Sequence, residues 1–309
     1  GSGKTDFRVW APRAGTVHIR FPGGARPDLP MTGIGSGYWE ALEVEAGPGT
    51  RYLYVLDGSD ARPDPASRSQ PDGVHGPSAV VDHTAHIWGD EGWENVPLYD
   101  QIFYQLHIGT FTPEGTFTAA AGRMQELADL GINALQVMPV VQFPGERNWG
   151  YDGAHPFAVQ NSYGGPEGLK TLVDTAHAAG VAVYLDVVYN HLVPEGNYLG
   201  DFGHYFTDRY HTPWGMAVNF DGPGSDEVRR FFIENALSWF LDYHVDGLRI
   251  DAVHSIIDMS AKPFLSQLSG SVEEAFPSRP VLIAESDLND VRVILPREDR
   301  GFGLDAQWN

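Results

Sequence analysis

Hydrophobic and polar positions follow two different rhythms along the chain, and the change falls near residue 97. Before it, short runs alternate between apolar and polar side chains, as in Phe7–Trp10, Thr16–Phe21 and Arg51–Leu56. Glycine and proline clusters separate these runs, the first at 22–24. Alternation with a period of two, broken at turn residues, is typical of antiparallel strands. It predicts that residues 1–96 form an all-β sandwich.

After residue 97 the apolar runs become nearly continuous and alternate with helical segments. Strands that are buried on both faces have this appearance, and helices between them imply a parallel sheet that is covered on its faces. The predicted strands are 101–107, 133–138, 181–188, 245–253 and 281–285, followed by a sixth at 303–308. This is the α/β pattern of a (β/α)8 barrel, with six of the eight strands present.

Residues 97–309 are accordingly predicted to form a partial (β/α)8 TIM barrel, with a short insertion at about 192–224. An open, doubly wound sheet is the alternative arrangement for alternating strands and helices. That arrangement is disfavoured because no glycine-rich dinucleotide turn follows the first predicted strand. The strand count also predicts that about a quarter of the barrel lies outside this chain.

The limits of the helices are predicted from their terminal residues. Residues 118–130 form a helical run that stops at a glycine, and Pro166 opens a run that closes at Gly180. The longest helix begins at Ser225, a candidate N-cap because its hydroxyl can accept a hydrogen bond from the first turn. The apolar residues between Val228 and Tyr243 recur at helical spacing.

Composition narrows the classes of function. The 309 residues include 20 Lys and Arg against 41 Asp and Glu, a formal net charge of −21. The electrostatic field of so negative a chain repels phosphate backbones and anionic lipid head groups, so neither nucleic acid nor a membrane is an expected partner. Cysteine is absent, which permits a reducing cytoplasm, the predicted location. No metal or other cofactor is expected, because His83 and His86 have the spacing of metal ligands but lack a third ligand.

Two carboxylates carry the strongest chemical signal. Asp251 lies in the apolar run Val245–His254, and Glu285 ends the run Val281–Glu285 before a polar loop. In a barrel of parallel strands, the carboxyl ends of the strands form the active-site face. Two acids that meet on that face are the minimum requirement for hydrolysis of a glycosidic bond. The pair therefore predicts a glycosidase.

Arg249 stands two residues before Asp251, so both side chains share one face of the strand at a spacing of roughly 6.6 Å. A cation in that position favours the ionised form of Asp251, which suits a nucleophile. Glu285, crowded beside an ionised carboxylate, is expected to carry the proton that a general acid needs. The structural alternatives are an ordinary ion pair for Arg249 and Asp251, and a solvated strand-end residue for Glu285.

Asp186 and His191 mark a third strand end with polar groups. A buried aspartate can anchor loops by accepting backbone N–H bonds, and a histidine can donate to a sugar hydroxyl. Either residue alone is more often structural. Three such strand ends on one rim of a barrel favour a functional site.

These segments resemble the shared motifs of glycoside hydrolase family 13, the α-amylase family. Asp186–His191 is similar to the first motif of that family, Gly247–His254 to the second, and Glu285 to the third. The resemblance implies that Asp251 is the nucleophile and Glu285 the acid/base. It also implies that Arg249 is the partner of the nucleophile.

The resemblance assigns further residues to the substrate. Asp186 and His191 would line the subsite of the sugar that is cleaved, and Tyr151 would stack on its ring, unless Tyr151 simply plugs the loop after the second strand. His254 is a candidate for contacts on the leaving side, and it departs from the lysine–histidine pair that many amylases carry there. The third acid of the family, an Asp preceded by His late in the barrel, has no counterpart in this chain. The chain on its own is therefore predicted to be inactive.

Within the family, Trp149–Asp152, Asp246–His254 and Ala284–Asp290 are most similar to members that cleave maltooligosyltrehalose. Phe7–Pro12 and Asp64–Arg68 resemble the immunoglobulin-like, carbohydrate-binding type of N-terminal sandwich. The implied activity is retaining hydrolysis of the α-1,4 bond next to the terminal trehalose, with release of trehalose. The implied partner is maltooligosyltrehalose or a related α-glucan.

Two alternatives remain open. The first is a branching or debranching enzyme of the same family, which ranks second because branching enzymes usually carry Gln where Asp152 stands. The second is a non-catalytic glucan-binding protein.

Overall fold

The computed structural model describes residues 3–24, 26–278 and 280–309. Strands dominate the part before residue 97, and the three predicted runs there all lie in strands. The strands are β1 (Lys4–Trp10), β2 (Val17–Arg20), β3 (Leu29–Pro30), β4 (Thr32–Gly35), β5 (Tyr38–Glu45), β6 (Arg51–Leu56), β7 (Ala61–Arg62) and β8 (Ser78–Ala79).

These strands form two antiparallel sheets. One has the order β1-β5-β4 and the other the order β3-β2-β6-β7, with β8 pairing with β6 as well. Aromatic rings connect the sheets: the ring centroids of Phe7 on β1 and Tyr52 on β6 lie 4.8 Å apart in an edge-to-face arrangement. Both side chains are buried, so apolar residues of the two sheets are in contact.

The region after residue 97 alternates strands with helices, as its apolar pattern predicts. Its strands are β9 (Phe103–Leu106), β10 (Ala134–Val137), β11 (Val141–Gln142), β12 (His155–Val159), β13 (Ala182–Val187), β14 (Phe206–Thr212), β15 (Gly215–Val218), β16 (Gly247–Ile250), β17 (Val281–Glu285) and β18 (Ala306–Trp308). Its helices are α1 (Ile108–Phe111), α2 (Phe117–Ala121), α3 (Met124–Asp129), α4 (Gly165–Ala178), α5 (Leu199–Phe202), α6 (Ser225–Tyr243) and α7 (Phe264–Ala275).

One parallel sheet organises this region. Its strand order is β9-β10-β13-β16-β17-β18, so the six predicted strands lie side by side in chain order. The rings of Phe103 and Trp308, on the two outermost strands, meet with centroids 5.6 Å apart. The sheet is therefore curled, and it forms a portion of a TIM-like barrel rather than an open, doubly wound sheet.

Small and large side chains alternate on the concave face of this sheet. Ala134, Ala182, Tyr184 and Ile283 form a buried cluster there. The register places Tyr184 beside Gly247, where an added Cβ atom would lie 2.3 Å from the tyrosine ring. Gly247 thus makes room for Tyr184 below the polar residues that end β13 and β16.

The prediction of one helix over 118–130 is wrong. The structure has α2 and α3 instead, separated at Arg123, whose φ of −107° and ψ of 2° are not helical. Thr116 caps α2 by accepting a hydrogen bond from the Ala119 N–H at 3.3 Å. At the break, the Arg123 N–H donates to the carbonyl three residues back, that of Ala120, at 2.9 Å. Each of the two short helices buries an apolar residue, Phe117 in α2 and Met124 in α3.

Two further predicted limits are corrected. Ser225 is the first residue of α6 rather than its N-cap, because Gly224 takes the cap position with φ of +79°, a conformation that glycine adopts without strain. The strand predicted over 245–253 is shorter, and Asp251 follows its last residue.

In the described residues, no helix combines the length and apolar character needed to cross a bilayer.

The predicted insertion at 192–224 contains α5 and a hairpin of β14 and β15. Residues of the N-terminal sheets hold this segment. The ring of Trp10 lies edge-on to Tyr205 at 5.4 Å, and that of Tyr54 lies 6.3 Å from Phe202. The N-terminal region therefore supports one wall of the barrel mouth from outside.

Candidate active site

The predicted polar residues meet at the carboxyl edge of the curled sheet. Register pairs Asp186 on β13 with Arg249 on β16, while Glu285 is the last residue of β17. Asp251 follows β16 directly. Three neighbouring strands thus deliver one acidic group each to the same rim, as the strand-end pattern predicted.

Arg249 is the centre of this group. Its Nη1 atom lies 2.8 and 2.7 Å from the two carboxylate oxygens of Asp186, and 3.0 Å from Oδ1 of Asp251. Its Nη2 atom lies 4.0 Å from Oε2 of Glu285. Burial alone would lower the pKa of Arg249, but the carboxylates outweigh it and raise that pKa. One fixed cation therefore holds three carboxylates together.

Asp251 is oriented by two donors on different oxygens. Arg249 binds Oδ1, and the side-chain amide of Asn190 donates to Oδ2 at 3.0 Å and to the Asp251 carbonyl at the same distance. These hydrogen bonds fix the orientation of the Asp251 carboxylate. The sequence reasoning missed Asn190, although its place between Asp186 and His191 at a strand end was a usable signal.

Glu285 has different surroundings. The backbone N–H of Ala252, the residue after Asp251, donates to its Oε2 atom at 2.7 Å. Ala252 has a φ of +42°, a left-handed conformation that is rare outside glycine, and it turns the chain immediately after Asp251. The Glu285 side chain is 25% exposed against 15% for Asp251, so it is the more open of the two.

Asp186 lies deeper than the other acids, with 1% of its surface exposed. Besides Arg249, it accepts hydrogen bonds from the Tyr151 hydroxyl at 3.0 Å and from Gln136 at 3.3 Å. Burial raises its pKa to about 7 in spite of the neighbouring arginine. Burial also raises the pKa of Tyr151, and the charge of Asp186 adds to that effect. Asp186 thus anchors Arg249 from below and Tyr151 from the side.

His191 contributes to a second wall of the site. Its Nδ1 atom lies 2.5 Å from the side-chain oxygen of Asn190, and burial lowers its pKa, which favours the neutral ring. The indole of Trp214 stacks on the imidazole with centroids 4.9 Å apart and an angle of 23°. Trp214 lies at the tip of the β14–β15 hairpin and is 47% exposed. The sequence reasoning missed it because nothing local separates a tryptophan in a turn from any other exposed aromatic residue.

His254 lies farther along the chain, exposed in the short turn Val253–Ser255. Together with Ser286 and Leu288, which follow Glu285, it lines a cavity of about 460 Å³. The segments that follow the two carboxylates in the chain therefore line this cavity, and neither Asp251 nor Glu285 is among its lining residues. Among the residues that the structure describes, no three His, Cys, Asp or Glu side chains are grouped so that they could hold a metal ion.

The chain is similar to known proteins over almost its whole length. It is 47% identical to the malto-oligosyltrehalose trehalohydrolase of Saccharolobus solfataricus, an alignment that covers 98% of this chain and 53% of the relative. It is 48% identical to a protein of the same name from Rhizobium sp., covering 100% of this chain and 53% of the relative. The family model "Alpha amylase, catalytic domain" matches residues 64–211.

The chain is thus similar to members of the α-amylase family, and residues 64–211 match the catalytic-domain model of that family. The resemblance inferred from its motifs is therefore confirmed. A crystal structure of a Salmonella typhimurium protein described as an alpha amylase agrees with a TM-score of 0.91 at 40% identity, over 98% of this chain and 52% of that one. The chain spans about half the length of the relatives it matches.

Proposed function

We propose that this chain carries the nucleophile and the general acid of a retaining glycosidase. Its reaction would be hydrolysis of the α-1,4 bond next to the terminal trehalose of maltooligosyltrehalose, with release of trehalose. The observation that supports this most directly is the convergence of Asp251 and Glu285 on the guanidinium of Arg249, in unlike surroundings. The similarity to relatives named malto-oligosyltrehalose trehalohydrolase supports the choice of substrate.

The two carboxylates divide the chemistry according to their surroundings. Asp251, oriented by Arg249 and Asn190, attacks the anomeric carbon while Glu285 gives its proton to the glycosidic oxygen. The C–O bond breaks, the leaving sugar departs, and a glycosyl ester forms on Asp251. Glu285 then takes a proton from water, which attacks the anomeric carbon and frees Asp251, so the anomeric configuration is retained.

The position of Glu285 also indicates where the leaving sugar lies. A general acid must be within hydrogen-bond reach of the oxygen that it protonates, so the leaving sugar extends past Glu285. We assign the leaving sugar to the cavity lined by His254, Ser286 and Leu288, which belong to the segments that follow Asp251 and Glu285 in the chain. Its volume of about 460 Å³ falls within the usual range of small-molecule pockets, about 300 to 1,000 Å³.

Tyr151 and His191 suit the sugar that forms the ester. Their positions are fixed by Asp186 and Asn190. An aromatic ring there offers an apolar face to the C–H side of a glucose unit. In this proposal Tyr151 stacks on the sugar and His191 hydrogen-bonds to its hydroxyls, while Asp186 positions both Tyr151 and Arg249.

We also propose that the chain is divided into two regions and that the protein is cytoplasmic. Residues 1–96 would be an immunoglobulin-like sandwich of the carbohydrate-binding type, supported by the contact between Phe7 and Tyr52 across the two sheets. Residues 97–309 would be part of the catalytic barrel. A cytoplasmic location accords with a chain that has no cysteine, and therefore no disulfide that a reducing compartment could break. Fractionation of the producing cells tests this location.

Product analysis of the complete protein on maltooligosyltrehalose tests the proposed reaction. Free trehalose is expected from the wild type, and Asp251→Asn should abolish its release while circular dichroism shows an unchanged fold. Asp60→Asn, an exposed change of the same type in the N-terminal region, is the matched control and should retain activity.

Three results would reject the proposal. New α-1,6 branches would indicate a branching enzyme. Glucan binding without turnover by the wild type would indicate a binding protein. Full activity of Asp251→Asn would exclude that residue as the nucleophile.

A further inference from the structure

A buried carboxylate away from the Arg249 group connects two segments that flank the proposed site. Asp221 precedes α6, and its side chain is 3% exposed. A single oxygen, Oδ2, accepts a hydrogen bond from the Tyr210 hydroxyl at 2.8 Å and another from the Met259 N–H at 3.0 Å. The other oxygen accepts a bond from Arg209 at 3.1 Å. Asp221 is therefore a bridge between two otherwise separate stretches of chain.

Each of the two stretches carries a residue that the proposed function places near the substrate. Tyr210 lies in β14, whose hairpin carries Trp214 at its tip, stacked on His191. Met259 lies in the loop 252–263, which follows Asp251 and bears the exposed His254. The bridge at Asp221 thus joins the stem of the Trp214 hairpin to the loop that lines the cavity beyond Glu285.

Both segments also have contacts of their own: the stack of Trp214 on His191 holds the tip of the hairpin, and α6 holds the loop. Arg229 of α6 donates to Asp258 and to the Lys262 carbonyl, so the loop is attached to the barrel independently of Asp221. The hairpin tip is exposed, with Met216 55% accessible. Burial alone would raise the pKa of Asp221, but the hydrogen bonds from Met259 and Tyr210 and the nearby arginines outweigh it and lower that pKa. The bridge is consequently a charge-assisted one at neutral pH.

We propose that Asp221 is a positioning residue that sets the separation between the Trp214 hairpin and the loop 252–263, and thereby determines how well a leaving sugar is held. This inference depends on the proposed function, because it takes the cavity beyond Glu285 to be the site of the leaving sugar. Asp221 itself lies outside the Arg249 group and would act only through the two segments that it joins.

Two substrates separate a positioning role from general damage. Maltooligosyltrehalose places a sugar in the leaving position, whereas a maltosyl fluoride presents the same glucose units to Asp251 and loses only fluoride. In the complete protein, Asp221→Asn should lower kcat/KM for maltooligosyltrehalose by about tenfold or more, mainly through KM. Its kcat/KM for the fluoride, measured as fluoride release, should stay within about twofold of the wild type.

Two companion variants complete the test. Tyr210→Phe deletes only the hydroxyl that bonds to Asp221, so it should show the same selective loss even if Asp221→Asn folds poorly. Asp208→Asn makes the same change in charge at an exposed position of β14 and should leave both substrates unaffected.

Equal losses on the two substrates, or no loss on either, would overturn the positioning role of Asp221. A wild type that releases no trehalose would reject the proposed function instead. The comparison would then use an uncapped maltooligosaccharide, which also has a leaving sugar, and the same selective pattern would be required.

Discussion

Replacing Arg249 with methionine leaves the carboxylates of Asp186, Asp251 and Glu285 facing one another without their shared cation. Methionine fills a similar volume, so the packing around it changes little, and the main effect is electrostatic. The guanidinium donates two hydrogen bonds to Asp186 and one to Asp251, all at 3.0 Å or less. Removal of one partner of a buried ion pair typically costs about 3 to 5 kcal/mol, because the charge that remains is uncompensated. We expect Arg249→Met to lose stability in that range at neutral pH.

The pH dependence of this loss identifies its cause. The pKa of Asp186 is about 7 in the folded protein and about 3.9 in an unfolded chain. The folded state therefore binds more protons between these values, so the contribution of Asp186 to the free energy of unfolding decreases as pH rises through this window. Without Arg249 the pKa of Asp186 rises further, since the ion pair no longer favours the charged form. The stability deficit of the variant should therefore be larger at pH 8 than at pH 5.

Urea unfolding of wild type and variant at pH 5 and pH 8 measures both effects. Arg230→Met is the matched control, because Arg230 makes an exposed pair with Glu234 one helical turn away, a type worth about 0.3 to 0.5 kcal/mol. A deficit for Arg249→Met as small as that of the control would refute the reasoning. A deficit that is independent of pH would show that packing, rather than charge, is responsible.

Three further predictions concern single residues. Glu285→Gln should reduce kcat/KM for maltooligosyltrehalose by about 10² to 10⁴. It should reduce kcat/KM for a glycosyl fluoride much less, because this parameter reports the first step and fluoride leaves without a proton. Equal losses of kcat/KM on the two substrates would argue against Glu285 as the acid. Gly247→Ala should destabilise the barrel by about 1 to 3 kcal/mol, because the added Cβ would meet the ring of Tyr184. The thermal unfolding midpoint measures this loss, and Gly200→Ala is the control, because its added Cβ would have no neighbour within 4 Å. Burial lowers the pKa of His155 from 6.5 to about 4, so up to about 3 kcal/mol of the free energy of unfolding is present above pH 6.5 and is lost as pH falls toward 4. In His155→Gln the unfolding midpoint should therefore change less between pH 7 and pH 4 than in the wild type, and an equal change in both proteins would contradict this.

The limits of sequence reasoning are visible in the helices. Apolar spacing correctly indicated a helix through Val228–Tyr243, but it did not reveal the break at Arg123 or the cap at Gly224. Both depend on the backbone angles of single residues, and contacts with residues that are distant in the chain determine those angles. A hydrophobic pattern reports which residues turn inward, and it is nearly the same for one bent pair of helices as for one straight helix.

The order of apolar and polar residues by itself determined that Asp186, Asp251 and Glu285 stand at strand ends of a parallel sheet, since that signal is contained in a few adjacent positions. It also placed Arg249 on the same strand face as Asp251. Only the tertiary structure decided that Arg249 makes its two shortest contacts with Asp186, 63 residues away. The physical reason is that the register and the curl of the sheet determine which side chains from other strands come within reach of each strand-end side chain. The bridge at Asp221 depends in the same way on a strand and a loop that meet only in the folded chain.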